Sequence, residues 1–334
     1  MLCMVLFVVT GCKKDEDRQE NTAETKRLRI GFSADSFVIE RWTRDRDIFV
    51  SKAQELGADV NVQNASGDVD EQISQIEYFI QKKMDVIVVI PIDNKALTEV
   101  MKKAKDVGIK TICYDRLVEG ADADLYISFD NVMVGELMAK GLINNNPEGG
   151  KIFMIEGHIA DNNVALVRQG FLNQIEPSNL EVIYTANCEE WYAEHAYTYV
   201  MEGLKKEPDV VGIMCGNDDL ASQAFRALSL NQLAGKVDLV GQDSDLSACQ
   251  RIVEGTQSVT VYKPVYELAS RAAQYAVKLV EGEELGIEER IHDGVYQIPY
   301  YKVEPSVVNI ENLDEVIINS GFHGREEVYL NVNE

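Results

Sequence analysis

The chain has 334 residues, of which 46% are hydrophobic and 26% charged; that is long enough for two domains of about 150 residues and too apolar for a disordered polymer. Seven prolines and 23 glycines without a period exclude a collagen-like or low-complexity chain. The net charge is −24, and so acidic a surface repels nucleic-acid phosphates unless a basic patch interrupts it, which no run of Lys or Arg here does.

The first feature in the chain is an apolar run over residues 2–9, closed by Val9-Thr10-Gly11-Cys12. It is too short to cross a hydrocarbon layer of ~30 Å as a helix. Its length suits the apolar part of a secretory signal, and small-small-Cys resembles a bacterial lipobox. Residues 1–12 are therefore expected to be a lipoprotein signal with lipid attached at Cys12, and residues 13–27, which carry no apolar run, a solvated tether. A buried first strand is the plain alternative. With the anchor in place, the body sits outside the cytoplasmic membrane, held to it by lipid. Beyond the leader, Cys113, Cys188, Cys215 and Cys249 have no CxxC spacing, and His158, His195, His292 and His323 are scattered. Buried free thiols are expected, with no metal site and no cofactor.

From residue 28 the chain alternates short apolar runs with amphipathic stretches. Strands are predicted at 28–32, 58–63, 86–90, 109–114 and 126–129, and helices at 40–56, 70–82 and 95–107. Ile73, Ile76 and Ile80 form one helical stripe, and Gly57 and Gly108 stand where a left-handed helix cap is needed. The alternation then restarts, with strands at 151–156, 180–184, 210–215, 237–242 and 258–262, helices at 163–174, 192–205, 220–233 and 246–254, and a last helix at 265–280 that can return to the first unit. Strands this uniformly apolar are buried on both faces, which means α/β lobes, each a parallel sheet flanked by helices. Two such runs imply two similar lobes. With no Pro/Gly/Ser-rich linker between them, strands must pass directly from one to the other.

Open parallel sheets bind ligands beyond the carboxyl ends of their strands, and those positions carry one kind of chemistry here. Ala34-Asp35-Ser36 and Glu40-Arg41-Trp42 follow the first strand and Tyr114-Asp115-Arg116 the fourth. In the second unit they are Asp161-Asn162-Asn163 with Arg168, then Trp191, Asn217-Asp218-Asp219 and Asp243, with Lys263 after the last strand. Carboxylate, guanidinium and amide groups can each address two adjacent hydroxyls. An indole offers a flat face to ring C–H groups, and the only two tryptophans fall one per lobe. Taken singly, each group has a plainer reading: a loop Trp as core, an isolated Arg as surface charge, and Asp161 or Asp219 as a helix cap. Together they point to a sugar cleft.

These residues resemble the periplasmic sugar-binding proteins of the ribose/galactose class. The resemblance runs through ERWTRDRDIFV (40–50), CYDR (113–116), YISFDN (126–131), DNNVALVR (161–168), GQDSDL (241–246), GTQSVTVYKP (255–264) and GFH (321–323). The ERW and VYKP elements point, within that family, to the members that take D-xylose. The resemblance implies a periplasmic binding protein type I fold and a pentose held between two Trp rings. It implies ligand contacts from Arg41, Trp42, Asp115, Arg116 and Lys263 on one side and from Asp161, Arg168, Trp191, Asn217 and Asp243 on the other. It also implies hinge crossovers near Asn131, Tyr262 and Val303, giving an N-terminal lobe of 28–131 plus 263–302 and a C-terminal lobe of 132–262 plus 303–334. The chain departs from the pattern at Ser36 and Val38, at Glu156-Gly157-His158 and at Asn187-Cys188-Glu189-Glu190, changes expected on or near the cleft rim that leave the ligand set intact.

The expected function is therefore non-catalytic: to bind a pentose, D-xylose above all, and present it to an ABC sugar importer. The alternative is a xylose sensor component that signals to a membrane histidine kinase, which the altered rim favours. A sugar-responsive repressor needs a basic helix-turn-helix ahead of this fold, and the stretch before the first strand is too short for one. An enzyme reading would make Asp115 and Asp243 a glycosidase-like pair, but carboxylates among Arg116, Arg168 and Lys263 should be ionised, leaving no acid for a leaving group. Phosphate-loop and G-x-S-x-G motifs are also missing.

Overall fold

The computed structural model describes residues 27–332; the expected signal, Cys12 and all of the tether but Arg27 lie outside them. In chain order the elements are β1 (Leu28–Ala34), α1 (Glu40–Glu55), β2 (Ala58–Asn64), α2 (Val69–Gln81), β3 (Val86–Val89), α3 (Thr98–Asp106), β4 (Lys110–Tyr114), β5 (Leu125–Phe129) and α4 (Asn131–Asn145). There follow β6 (Gly150–Glu156), α5 (Asn162–Ile175), β7 (Leu180–Asn187), α6 (Glu194–Lys206), β8 (Gly212–Cys215), α7 (Asp218–Leu230), β9 (Asp238–Val240), α8 (Leu246–Val253) and β10 (Thr260–Tyr262). The chain then returns through α9 (Val265–Glu281), β11 (Arg290–His292), β12 (Gln297–Val303) and β13 (Ser306–Val308).

One sheet has the order β11-β12-β5-β4-β3-β1-β2 and a second β7-β6-β8-β9. All pairings are parallel except β11 with β12 and β10 with β13. A parallel bridge between Val240 and Val259 sets the β10 segment beside β9, extending the second sheet. In β3, Val86 and Val88 point to one core and Ile87 and Val89 to another, and all four are fully buried. That burial on two faces is why the strand reads as an unbroken apolar run. Helices α1 and α9 pack together on one face of the first sheet, and α4 packs on α5 against the second. The chain crosses between the sheets three times: from β5 into α4, from β10 into α9, and from β12 into β13.

Gly57 and Gly108 take φ of +81° and +85°, the left-handed caps expected after α1 and α3. Helix α3 starts later than its apolar pattern because the Asp93 carboxylate accepts from the backbone N–H of Lys95 and Ala96, both at 2.7 Å, and holds a turn there. Helix α7 starts earlier, because Asn217 and not Asp219 caps it, accepting from Leu220 N at 2.9 Å. Helix α4 and strands β11–β13 have no counterpart among the predicted elements. Cys113, Cys188, Cys215 and Cys249 are buried free thiols, as expected.

Candidate functional site

The carboxyl ends of both sheets converge on one cavity, the place where open parallel sheets bind ligands. Nine of the ten expected ligand residues line it: Arg41, Trp42, Asp115, Arg116, Asp161, Trp191, Asn217, Asp243 and Lys263.

Arg41 is the centre of the first wall. Ile39 is still extended and the helix begins at Glu40, so Arg41 and Trp42 stand in the first turn of α1 rather than in a loop. One turn on, Asp45 takes the Arg41 guanidinium through two bonds of 3.2 Å. The same guanidinium donates to Asp115 Oδ2 at 2.7 Å and lies 3.8 Å from Asp243 of the other lobe. Arg116 donates to Asp35 at 2.6 Å and approaches Asp161 Oδ2, again across the lobes, at 2.7 Å. Lys263 pairs with Asp243 at 3.0 Å. Asp35, Asp45, Asp115, Asp161 and Asp243 are almost wholly buried, and Asp115, Asp161 and Asp243 line the cavity together with the three cations. An ionised carboxylate can accept several hydrogen bonds, so these three can accept from hydroxyl donors as well as from their cations.

Burial alone would raise the Asp115 carboxyl, but Arg41, then Lys263 and Arg116, outweigh it and hold its pKa below the ordinary value. Asp161 goes the other way: burial raises it against the pull of Arg116. Arg41 is pressed down by burial and lifted further by Asp115, Asp45 and Asp243, so it stays charged. Asp115 carries φ of +63° and Asp243 of +95°. Backbone this rarely occupied by non-glycine residues persists where surrounding bonds over-determine it. The carbonyl of Asp115 accepts from Ser128 at 2.6 Å, Tyr126 at 3.0 Å and Asn163 of the opposite lobe at 3.1 Å.

The two indoles flank Arg116, whose guanidinium carbon is 5.5 Å from the Trp42 ring centre and 6.0 Å from that of Trp191. Trp191 ends a tight turn at Glu189–Trp191 in which Glu190 and Trp191 have φ of +51° and +59°. Glu190 N donates to His158 Nδ1 at 3.2 Å, which pins the turn. The ring lies against Gly157, where a Cβ would come within 2.1 Å of it. Among the described residues, no side chain or backbone group partners the buried Trp42 Nε1, Trp191 Nε1 or Gln242 Oε1. Orphaned buried polar atoms around a cavity mark where a ligand's hydrogen bonds belong.

Arg168 stands outside the lining. Its guanidinium grips both oxygens of Glu156, through Nε at 2.8 Å and through a second, shorter contact. Glu156 is not a rim residue: it is buried and lines the cavity, as do Asn163 and Gln242, none of which the sequence reading marked as a ligand. The DNN motif that carries Asn163 was a signal for it. Nothing in the sequence pairs Glu156 with Arg168.

Two parallel-sheet lobes closing their strand ends over a polar, indole-flanked cavity define a two-lobed solute-binding protein. Residues 30–284 match the periplasmic binding protein domain, and the chain belongs to that family. It is 42% identical to the D-xylose-binding periplasmic protein of Haemophilus influenzae over 92% of this chain and 94% of that one. It is 40% identical to the protein of the same description from Escherichia coli, over 92% and 94%. A solved ABC-transporter solute-binding protein from Clostridium phytofermentans, with β-D-glucose bound, superposes with a TM-score of 0.83 at 25% identity, covering 90% of this chain and 99% of that one.

Proposed function

We propose that this chain is an extracytoplasmic binding protein, without catalysis of its own, that closes on one free pentose, D-xylose, between Trp42 and Trp191. The observation that carries the reading is the cavity lining, in which Arg41, Asp115, Arg116 and Lys263 face Asp161, Asn217 and Asp243 across it. Buried charge with spare acceptors, unpartnered indole N–H groups and flat aromatic faces are the complement of a hydroxylated ring. The similarity to proteins described as D-xylose-binding supports the choice of sugar. The lobes are 28–131 plus 263–302 and 132–262 plus 303–334, hinged near Asn131, Tyr262 and Val303. Only the closed form lets both lobes bond the sugar, so ligand shifts the equilibrium toward closure. Arg168 acts through Glu156, holding that carboxylate at the cavity wall.

In this reading Cys12 carries the lipid that holds the protein outside the cytoplasmic membrane, and the partner is an ABC permease. A sensor histidine kinase is the second reading, favoured by the altered rim, where Val38 is 71% exposed. Titration calorimetry with xylose, ribose, arabinose and galactose tests the ligand. The expected result is low-micromolar or tighter binding of xylose, in the range of about −8 kcal/mol. Heat from another of these sugars and none from xylose would overturn the specificity and leave the fold untouched.

A further inference from the structure

Four consecutive residues of the second lobe each reach the first. The Ala160 carbonyl accepts from Asn94 N at 3.1 Å, and Asp161 Oδ2 lies 2.7 Å from Arg116 Nε. Asn162 Oδ1 accepts from Leu117 N at 2.7 Å. Asn163 Nδ2 donates to the carbonyl and to Oδ1 of Asp115, both at 3.1 Å. Three of the receiving residues, Asp115, Arg116 and Leu117, are themselves consecutive, so the contact is a short zipper between the turn before α5 and the turn after β4.

The pairs in this zipper divide by place. Asp161, Asn163, Asp115 and Arg116 line the sugar cavity, whereas Ala160, Asn162, Asn94 and Leu117 do not. The bonds of the second group therefore join lobe to lobe outside the cavity wall. Both sides are braced. Asp161 caps α5 by accepting from Asn163 N at 2.9 Å, and α5 is packed on α4. Opposite, Glu119 N donates to the Asn94 carbonyl at 2.6 Å and Glu119 Oε1 accepts from Asn94 Nδ2 at 2.7 Å. The Thr98 hydroxyl donates to the Glu119 carbonyl at 2.8 Å. Asn162 is half-buried and Leu117 buried, and a bond of this kind, exchanged for water on opening, is worth about three- to tenfold in an equilibrium constant.

We infer that Asn162 is a positioning residue, a latch that holds the lobes shut through the Leu117 amide without touching the sugar. The inference rests on the reading of the cavity as a sugar site that closes between the lobes. It adds that part of what favours closure is a lobe-to-lobe bond, independent of which hydroxyls the ligand carries.

Amide hydrogen exchange and calorimetry on the full chain, with D-xylose, test this together. In the wild type, saturating xylose should raise the protection of the Leu117 amide at least about tenfold, because its acceptor stands on the other lobe. Asn162→Ala, and Asn162→Leu, which keeps the bulk but has no oxygen, should each lose most of that rise. Each should also bind xylose about three- to tenfold more weakly at an unchanged Tm. Equal Leu117 protection with and without xylose in the wild type would overturn the latch, as would xylose affinity within about 1.5-fold of wild type in either variant. Either result leaves the sugar site standing. A wild type that binds no xylose overturns the pentose reading, and this inference with it.

Discussion

Gly157→Ala is the sharpest probe of how the cavity is built. A Cβ at that position would lie 2.1, 2.2 and 2.3 Å from three ring carbons of Trp191. Carbon atoms rest about 3.5–4.0 Å apart, so one side must yield by roughly 1.5 Å. Little slack exists behind Gly157: a Cβ on the neighbouring Gly216 would already be 2.8 Å from Gly157 N, and Asn187 holds the Gly157 carbonyl at 3.1 Å. The indole must therefore move, and it stands on a turn with two successive left-handed residues pinned to His158. A ring displaced by that distance shifts the wall that Trp191 gives the cavity and intrudes on the space proposed for the sugar. Losing the stacking and part of the burial costs about 2–3 kcal/mol, or roughly a hundredfold in affinity. Calorimetry with xylose measures this directly, tryptophan emission reports the indole's new surroundings, and a melting curve checks that the lobes remain folded. Affinity within threefold of wild type, at an unchanged Tm, would refute the assignment of Trp191 as a wall of the binding site.

Asp243→Ala should weaken xylose binding by well over tenfold, because it strips Lys263 of its 3.0 Å partner and Arg41 of a neighbour at 3.8 Å, at a cost of about 2–5 kcal/mol; a smaller change in calorimetry would remove Asp243 from the ligand set. Stability should depend on pH through a second acidic site, where burial pushes the Asp218 carboxyl up to about 7 against bonds from Thr260 and Gln257 and the charge of Arg251, with Asp245 also raised beside it. A carboxyl whose pKa is raised on folding binds more protons folded than unfolded, so stability is full at low pH and falls as pH rises from about 4 to about 7. Differential scanning calorimetry should show Tm rising as pH is lowered from about 8 to about 5, with a smaller slope in Asp218→Asn; equal slopes in the two proteins would remove Asp218 as the source.

How far the chain could be read without coordinates depends on whether the relevant force is local. Buried parallel strands such as β3, β5 and β8 declare themselves because burial on both faces demands consecutive apolar residues. The chemistry at the strand ends was equally legible, since carboxylates, guanidinia, amides and indoles recur after strand upon strand at the same end of both sheets. Helix α4 was not legible, for a reason that lies in its neighbour. It carries Gly135 and Gly141, which locally weaken a helix, yet a Cβ on Gly135 would sit 2.0 Å from the Val167 carbonyl and one on Gly170 1.8 Å from the Val132 carbonyl. Gly135 and Gly170 let α4 and α5 touch backbone to backbone, and Gly141 makes room for Val259. Strand β11 is short and largely exposed at the sheet edge, so it has no apolar pattern to display.

Amino-acid order alone thus determined the two-lobed α/β class and the residue types facing the cleft, because periodicity and strand-end placement are properties of neighbours in the chain. Partnership was decided only in three dimensions. Arg116 finds Asp35 and Asp161 at sequence separations of 81 and 45, Arg41 bonds Asp115 across 74 residues, and Glu156 rather than a ligand takes Arg168. Each choice follows from which charged groups are buried within reach of one another. A charge removed from water must be paired where it lies, and position in the chain does not say where that is.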